Sequence, residues 1–210
     1  MLLAHYRTGR IFSALLLAML LSAPVARSQR HPEKGGHQIE FWTGGGHGTN
    51  GSASNTTMWN VGARYGWILT EPHGPSFLRG SFEYAVDVVP VFLVFQPANT
   101  AYGLGLSPMA LKWNLETSGR VMPYLELGGG VLFTNHQVPS GTSRVNFTSG
   151  GALGIDILQN RFNWSIELRY LHISNAGLAT PNPGINTVQL RLGVGRFTHG
   201  RRDDHHRSTP

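Results

Sequence analysis

The segment Leu168-Arg169-Tyr170-Leu171-His172-Ile173-Ser174-Asn175-Ala176-Gly177 sets a histidine and a serine two residues apart at the end of an alternating run. An imidazole beside a hydroxyl supplies a base and a nucleophile, the pairing on which acyl transfer runs. Counting back from Ser174 by twos gives His172, Tyr170, Leu168, Ile166 and Trp164. The opposite parity gives Leu171, Arg169, Glu167, Ser165 and Asn163. Successive strand side chains point to opposite faces, so the pair lies on the apolar side. In a soluble enzyme that side is core. In a barrel lodged in a bilayer it touches lipid, and lipid is then the substrate.

The first residues agree with export. Arg7 and Arg10 precede the apolar run Ile11 to Leu21, followed by Ser22-Ala23-Pro24-Val25-Ala26-Arg27-Ser28. This is a basic region, an apolar stretch too short to span a bilayer, and a small-residue cleavage site. We expect a signal peptide over 1–28 and a linker over 29–36. No later run is apolar enough for a transmembrane helix, and there are no cysteines, so neither a disulfide nor a thiol nucleophile is available. The formal charge of +6 falls to +3 on cleavage, since 17 basic residues lose Arg7, Arg10 and Arg27 against 11 acidic ones. Much of the remainder lies in a polar tail over 198–210, so no nucleic-acid partner is implied. A charged fraction of 13% with 27 glycines suits strands better than a helical domain.

From position 37 to 197 the chain reads as eight alternating segments, near 37–43, 57–69, 77–94, 101–114, 122–134, 147–158, 163–174 and 187–197. The fold class expected is all-β, an eight-stranded antiparallel transmembrane β-barrel. Polar faces carry Arg64, Arg79, Lys112, Arg169 and Arg191 against Glu83, Asp87, Glu126, Asp156 and Glu167. Balanced charge predicts a lumen closed by ion pairs, because eight strands leave room only for side chains. The apolar faces hold Trp59, Tyr65, Trp67, Trp113, Trp164 and Tyr170, as an interfacial aromatic girdle requires. Links 70–76, 115–121 and 159–162 are short, whereas 43–56, 135–146 and 175–186 are longer and polar. That alternation puts both termini on the periplasmic side and Ser174 at the outer leaflet. The link 95–100 is external by order, though short.

The run His172-Ile173-Ser174-Asn175-Ala176-Gly177-Leu178, continued by Pro181-Asn182-x-Gly184-Ile185, resembles the lipid A 3-O-deacylases of Gram-negative outer membranes, the PagL family. The likeness is strongest over about 160–197. It implies an eight-stranded barrel that hydrolyses the ester-linked 3-O-acyl chain of lipid A on its lipid-facing exterior. By the same resemblance Ser174 is the nucleophile, His172 the general base and Asn175 the oxyanion residue. Ser174 and His172 have Cα atoms about 6.6 Å apart in a strand.

One position departs from the family. Its orienting acid is a glutamate directly after the Gly-Ile pair, where this chain has Asn186. Asn186 shares the parity of Val188 and Leu190, so it faces lipid beside the seventh strand. An amide holds imidazole in one tautomer but cannot neutralise an imidazolium. A slower esterase is the first expectation, and a non-catalytic barrel keeping the scaffold is the alternative.

Of the remaining features, Asp203-Asp204-His205-His206 in the tail is the kind of cluster that binds metal adventitiously, so no metal or cofactor is expected. Gly44-Gly45-Gly46 precedes no helix and is not a phosphate loop. Phe197 resembles the terminal aromatic recognised by outer-membrane assembly machinery, although residues 198–210 follow it. The partners implied are lipid A or lipopolysaccharide of the outer leaflet and that machinery. A homodimer is left open.

Overall fold

The computed structural model describes residues 31–49 and 55–199. The expected signal peptide and most of the 198–210 tail, including the Asp203 to His206 cluster, lie outside the described residues. Eight strands run β1 (His37–Gly48), β2 (Thr57–Ile68), β3 (Gly80–Phe95), β4 (Thr100–Leu115), β5 (Val121–Thr134), β6 (Val145–Ile157), β7 (Asn163–Ser174) and β8 (Ile185–Phe197). Each pairs antiparallel with its sequence neighbour, and β1 pairs with β8 to close the barrel. Closure leaves no strand edge unpaired, which is what a sheet in hydrocarbon requires.

Alternation sorts the two faces as expected. On β7, Trp164, Ile166, Leu168 and Tyr170 are exposed, whereas Asn163, Ser165 and Glu167 are buried. The apolar residues therefore face out and the polar ones in, the inverse of a water-soluble barrel. Only a low-dielectric surrounding makes that arrangement stable.

The lumen is filled by a connected ion network. Arg64 donates to both carboxylate oxygens of Asp87, at 2.9 and 2.7 Å, and to Glu126 from two nitrogens. Arg169 bridges Glu126 to Glu167, whose Oε2 accepts the Tyr124 hydroxyl at 3.0 Å. Lys112 pairs with Asp156 at 2.9 Å and lies over the Tyr124 ring. Arg191 stacks on Trp42, 3.9 Å from the ring centre. An apolar cluster that includes Trp42, Phe92, Val138, Ile173 and Ile185 sits at the outer end, and Ile68, Met122, Leu158 and Phe197 at the inner end. A lumen cavity of about 50 Å³ remains beside Trp42, Asp87, Arg169 and Arg191. That is room for a few waters and not for a lipid.

Three expectations are corrected. Arg79 is not in the lumen; it precedes β3 and forms an exposed pair with Glu116 at 2.6 Å. Glu40 replaces it in the interior, accepting from Gln38 and Ser165. Among the described residues the interior network thus holds four cations against six carboxylates. The triglycine Gly44–Gly46 is not loop but strand, because a residue without a side chain shows no alternation to read. Its bareness is needed: a Cβ on Gly46 would run into the Val188 carbonyl and Gln189. Phe197, on the parity of Gln189 and Arg191, is fully buried in the inner plug.

Candidate active site

Strands β7 and β8 carry the site at their outer ends. Ile173 pairs with Ile185, and both are fully buried in the outer apolar cluster. With those two pinned inward, the neighbouring His172, Ser174 and Asn186 must face outward. His172 stands directly opposite Asn186 across the ladder. Their side chains meet, His172 Nδ1 lying 2.7 Å from Asn186 Oδ1. With Nδ1–H donating to that oxygen, Nε2 carries the lone pair. Asn186 is itself held from the 49–56 loop, since the Thr49 N–H and hydroxyl both donate to its carbonyl, at 2.9 and 3.3 Å.

Ser174 is the last residue of β7 and pairs with Phe147 of β6. It shares the outward face with His172, and both are half-buried. Among the described residues no hydrogen bond joins its hydroxyl to the imidazole. Rotation about one side-chain bond changes that distance, and such contacts commonly tighten only with substrate present. Phe147, Tyr170 and Val188 stand exposed around the pair, giving it an apolar surround.

Asn175, the expected oxyanion residue, turns inward from the face that carries Ser174. It is buried, and its amide nitrogen donates to the carbonyls of Ala179 (3.0 Å) and Pro181 (3.3 Å). Its side-chain oxygen accepts the Gly177 N–H at 2.9 Å, and its own N–H goes to Asn182 Oδ1 at 3.1 Å. Each donor of Asn175 is therefore engaged in folding the 175–184 loop back on itself. The loop turns through Ala176 and Gly177, both left-handed, with φ of 53° and 81°. The N–H of Leu178 returns to the Asn175 carbonyl, while the N–H of Ala176 has no partner among the described residues.

Two contributions escaped the sequence reading although their residues were in view. Gly184, with φ of 66°, lies against the imidazole: a Cβ there would be 2.8 Å from His172 Cε1 and 3.5 Å from Nε2. Asn182 anchors the start of the loop. Both belong to the Pro-Asn-x-Gly-Ile continuation, but a spacing pattern does not say which atom each residue meets. No group of three or more His, Cys, Asp or Glu side chains among the described residues is placed to hold a metal ion.

Comparison with known proteins adds an independent line. The chain is 38% identical over 68 residues to the lipid A deacylase PagL of Bordetella bronchiseptica, an alignment covering 32% of this chain and 38% of that protein. In three dimensions it is similar to the crystal structure of the outer membrane enzyme PagL, with a TM-score of 0.58 and 18% identity, covering 73% of this chain and 97% of the other. That likeness concerns the barrel. The sequence profile of the lipid A 3-O-deacylases (PagL) matches residues 59–195, the larger part of the chain including the His172 to Ile185 run, and the protein belongs to that family.

Proposed function

We propose that the protein is an outer-membrane esterase that removes the 3-O-acyl chain of lipid A. Ser174 Oγ attacks the ester carbonyl, and His172 Nε2 takes its proton and passes it to the departing sugar hydroxyl. Water then releases the acyl chain from Ser174 by the reverse of that proton route. Asn186 fixes the imidazole through Nδ1. The oxyanion role given to Asn175 is met most simply by the neighbouring Ala176 N–H, which the Asn175 side chain positions by holding the loop. The chemistry uses no cofactor. Substrate and products move laterally in the outer leaflet, reached by export on the 1–28 signal segment and insertion by the assembly machinery.

The observation that carries this reading is the 2.7 Å contact between His172 and Asn186 on the outward face, which leaves Nε2 as the base beside Ser174. One feature favours the alternative of a non-catalytic barrel on a deacylase scaffold: an amide at 186 cannot neutralise the imidazolium. Mass spectrometry of lipid A incubated with purified protein in detergent separates the two. Loss of one ester-linked hydroxyacyl chain, absent with Ser174→Ala and His172→Asn, is the expected result. Lipid A left equally intact by wild type and Ser174→Ala would remove the esterase reading.

A further inference from the structure

The outer rim of the barrel is almost free of charge. Segments 49–56, 96–99, 135–144 and 175–184 contain no Asp, Glu or Lys, and their one arginine is Arg144. The inner turns differ, carrying Glu71, Arg79, Glu116, Arg120 and Arg161. A lone cation on a rim without carboxylates has no internal partner to satisfy, and an approaching anion meets no repulsion there.

Arg144 also stands in a defined place. It immediately precedes β6, the strand hydrogen-bonded to β7, and it is exposed. Its carbonyl accepts both the N–H of Thr134 at 2.9 Å and the Thr134 hydroxyl at 3.2 Å, which fixes its backbone. Its guanidinium makes no ion pair among the described residues. Since Phe147 pairs with Ser174, Arg144 lies three residues, or about 10 Å, further toward the outside on the adjacent strand. The odd offset starts its side chain on the lumen side, like buried Asn146, but at the exposed rim its long stem lets the guanidinium reach over to the lipid face. A lipid whose ester carbonyl reached Ser174 would carry its headgroup at that level. Guanidinium is the side chain best shaped for a phosphate, offering two parallel donors.

We propose that Arg144 binds the phosphate of a phosphorylated glycolipid headgroup and thereby orients the substrate with its ester at Ser174. The orienting part rests on the esterase reading above; the binding part does not. A phospholipid headgroup offers the same phosphate chemistry, so the test includes one. Full-length protein carrying Ser174→Ala, to prevent turnover, is titrated in detergent micelles by tryptophan fluorescence. The ligands are bisphosphorylated lipid A, its dephosphorylated form and phosphatidylglycerol.

Phosphorylated lipid A is expected to bind about fivefold more tightly than the dephosphorylated form, the effect of one arginine near an anionic surface. Adding Arg144→Gln removes the difference, and Arg144→Lys keeps part of it. Equal binding of the two lipid A forms, or a preference that survives Arg144→Gln, overturns the proposal. So does phosphatidylglycerol binding as tightly with the same Arg144 dependence, which would make the residue a general anionic-lipid contact. With Ser174 intact, Arg144→Gln raises KM for phosphorylated lipid A and also lowers kcat, because the ester is no longer held in line with Ser174. Absent turnover with the binding preference intact rejects the esterase reading and keeps the phosphate site.

Discussion

Replacing Asn186 by aspartate tests the site at its most informative contact. The two side chains have the same shape, so the carboxylate falls where Oδ1 now lies, 2.7 Å from His172 Nδ1. What changes is the charge of the acceptor as the imidazole gains a proton in the transition state. Moving from a neutral to a charge-assisted hydrogen bond adds about 1–1.5 kcal/mol, or roughly tenfold in rate. The loss of about 10⁴-fold when serine proteases exchange carboxylate for amide sets the upper bound. Position 186 is the second residue of β8, at the outer end, where a charge facing lipid costs about 0–1 kcal/mol. The barrel should therefore fold. The assay is the initial rate of hydroxyacyl release from lipid A in micelles, with the temperature of barrel unfolding in detergent as control. Asn186→Glu carries the family's own acid but one further methylene, and should accelerate the reaction by less. If Asn186→Asp folds as wild type but is no faster, and Asn186→Ala equals both, the contact is idle and the reasoning fails.

Other expectations concern the support of the site. Gly184→Ala puts a methyl 2.8 Å from the imidazole and an L residue at φ 66°, a strain of about 1–2 kcal/mol. It should lower turnover severalfold while the unfolding temperature of the barrel falls by only a few degrees; unchanged kcat would show that the ring has slack. Arg64→Met removes the bidentate partner of Asp87 and one of the two arginines on Glu126, leaving them Arg191 and Arg169, and should cost about 3 kcal/mol, the low end for a broken buried pair. The unfolding temperature should fall clearly, with activity per folded molecule retained at low temperature. Activity lost in step with a normal unfolding temperature would tie the lumen to the chemistry.

Most of the barrel was legible because strands that face lipid on one side and a polar lumen on the other alternate without exception for long stretches. Alternation failed where it had nothing to act on, at Gly44 to Gly46. It misplaced Arg79 because parity was extended past the start of β3, where the chain leaves the sheet. It passed over Glu40, whose segment read as ending three residues later. At the site, parity put His172, Ser174 and Asn186 on one outward face. What the sequence could not convey was the inward turn of Asn175. Its hydrogen bonds reach Ala179, Pro181 and Asn182, and a ten-residue loop has no period from which such closure can be read.

The packed lumen has a kinetic consequence. No product can leave through the protein, so a reaction at Ser174 begins and ends in the plane of the lipid. Its governing concentration is then the mole fraction of substrate in the surrounding film, not molarity in the bulk. Diluting lipid A with inert detergent at constant total amount should slow such a reaction as strongly as withholding substrate. On the esterase reading, a freed fatty acid would share that apolar surface with the next substrate, a brake set by the composition of the film.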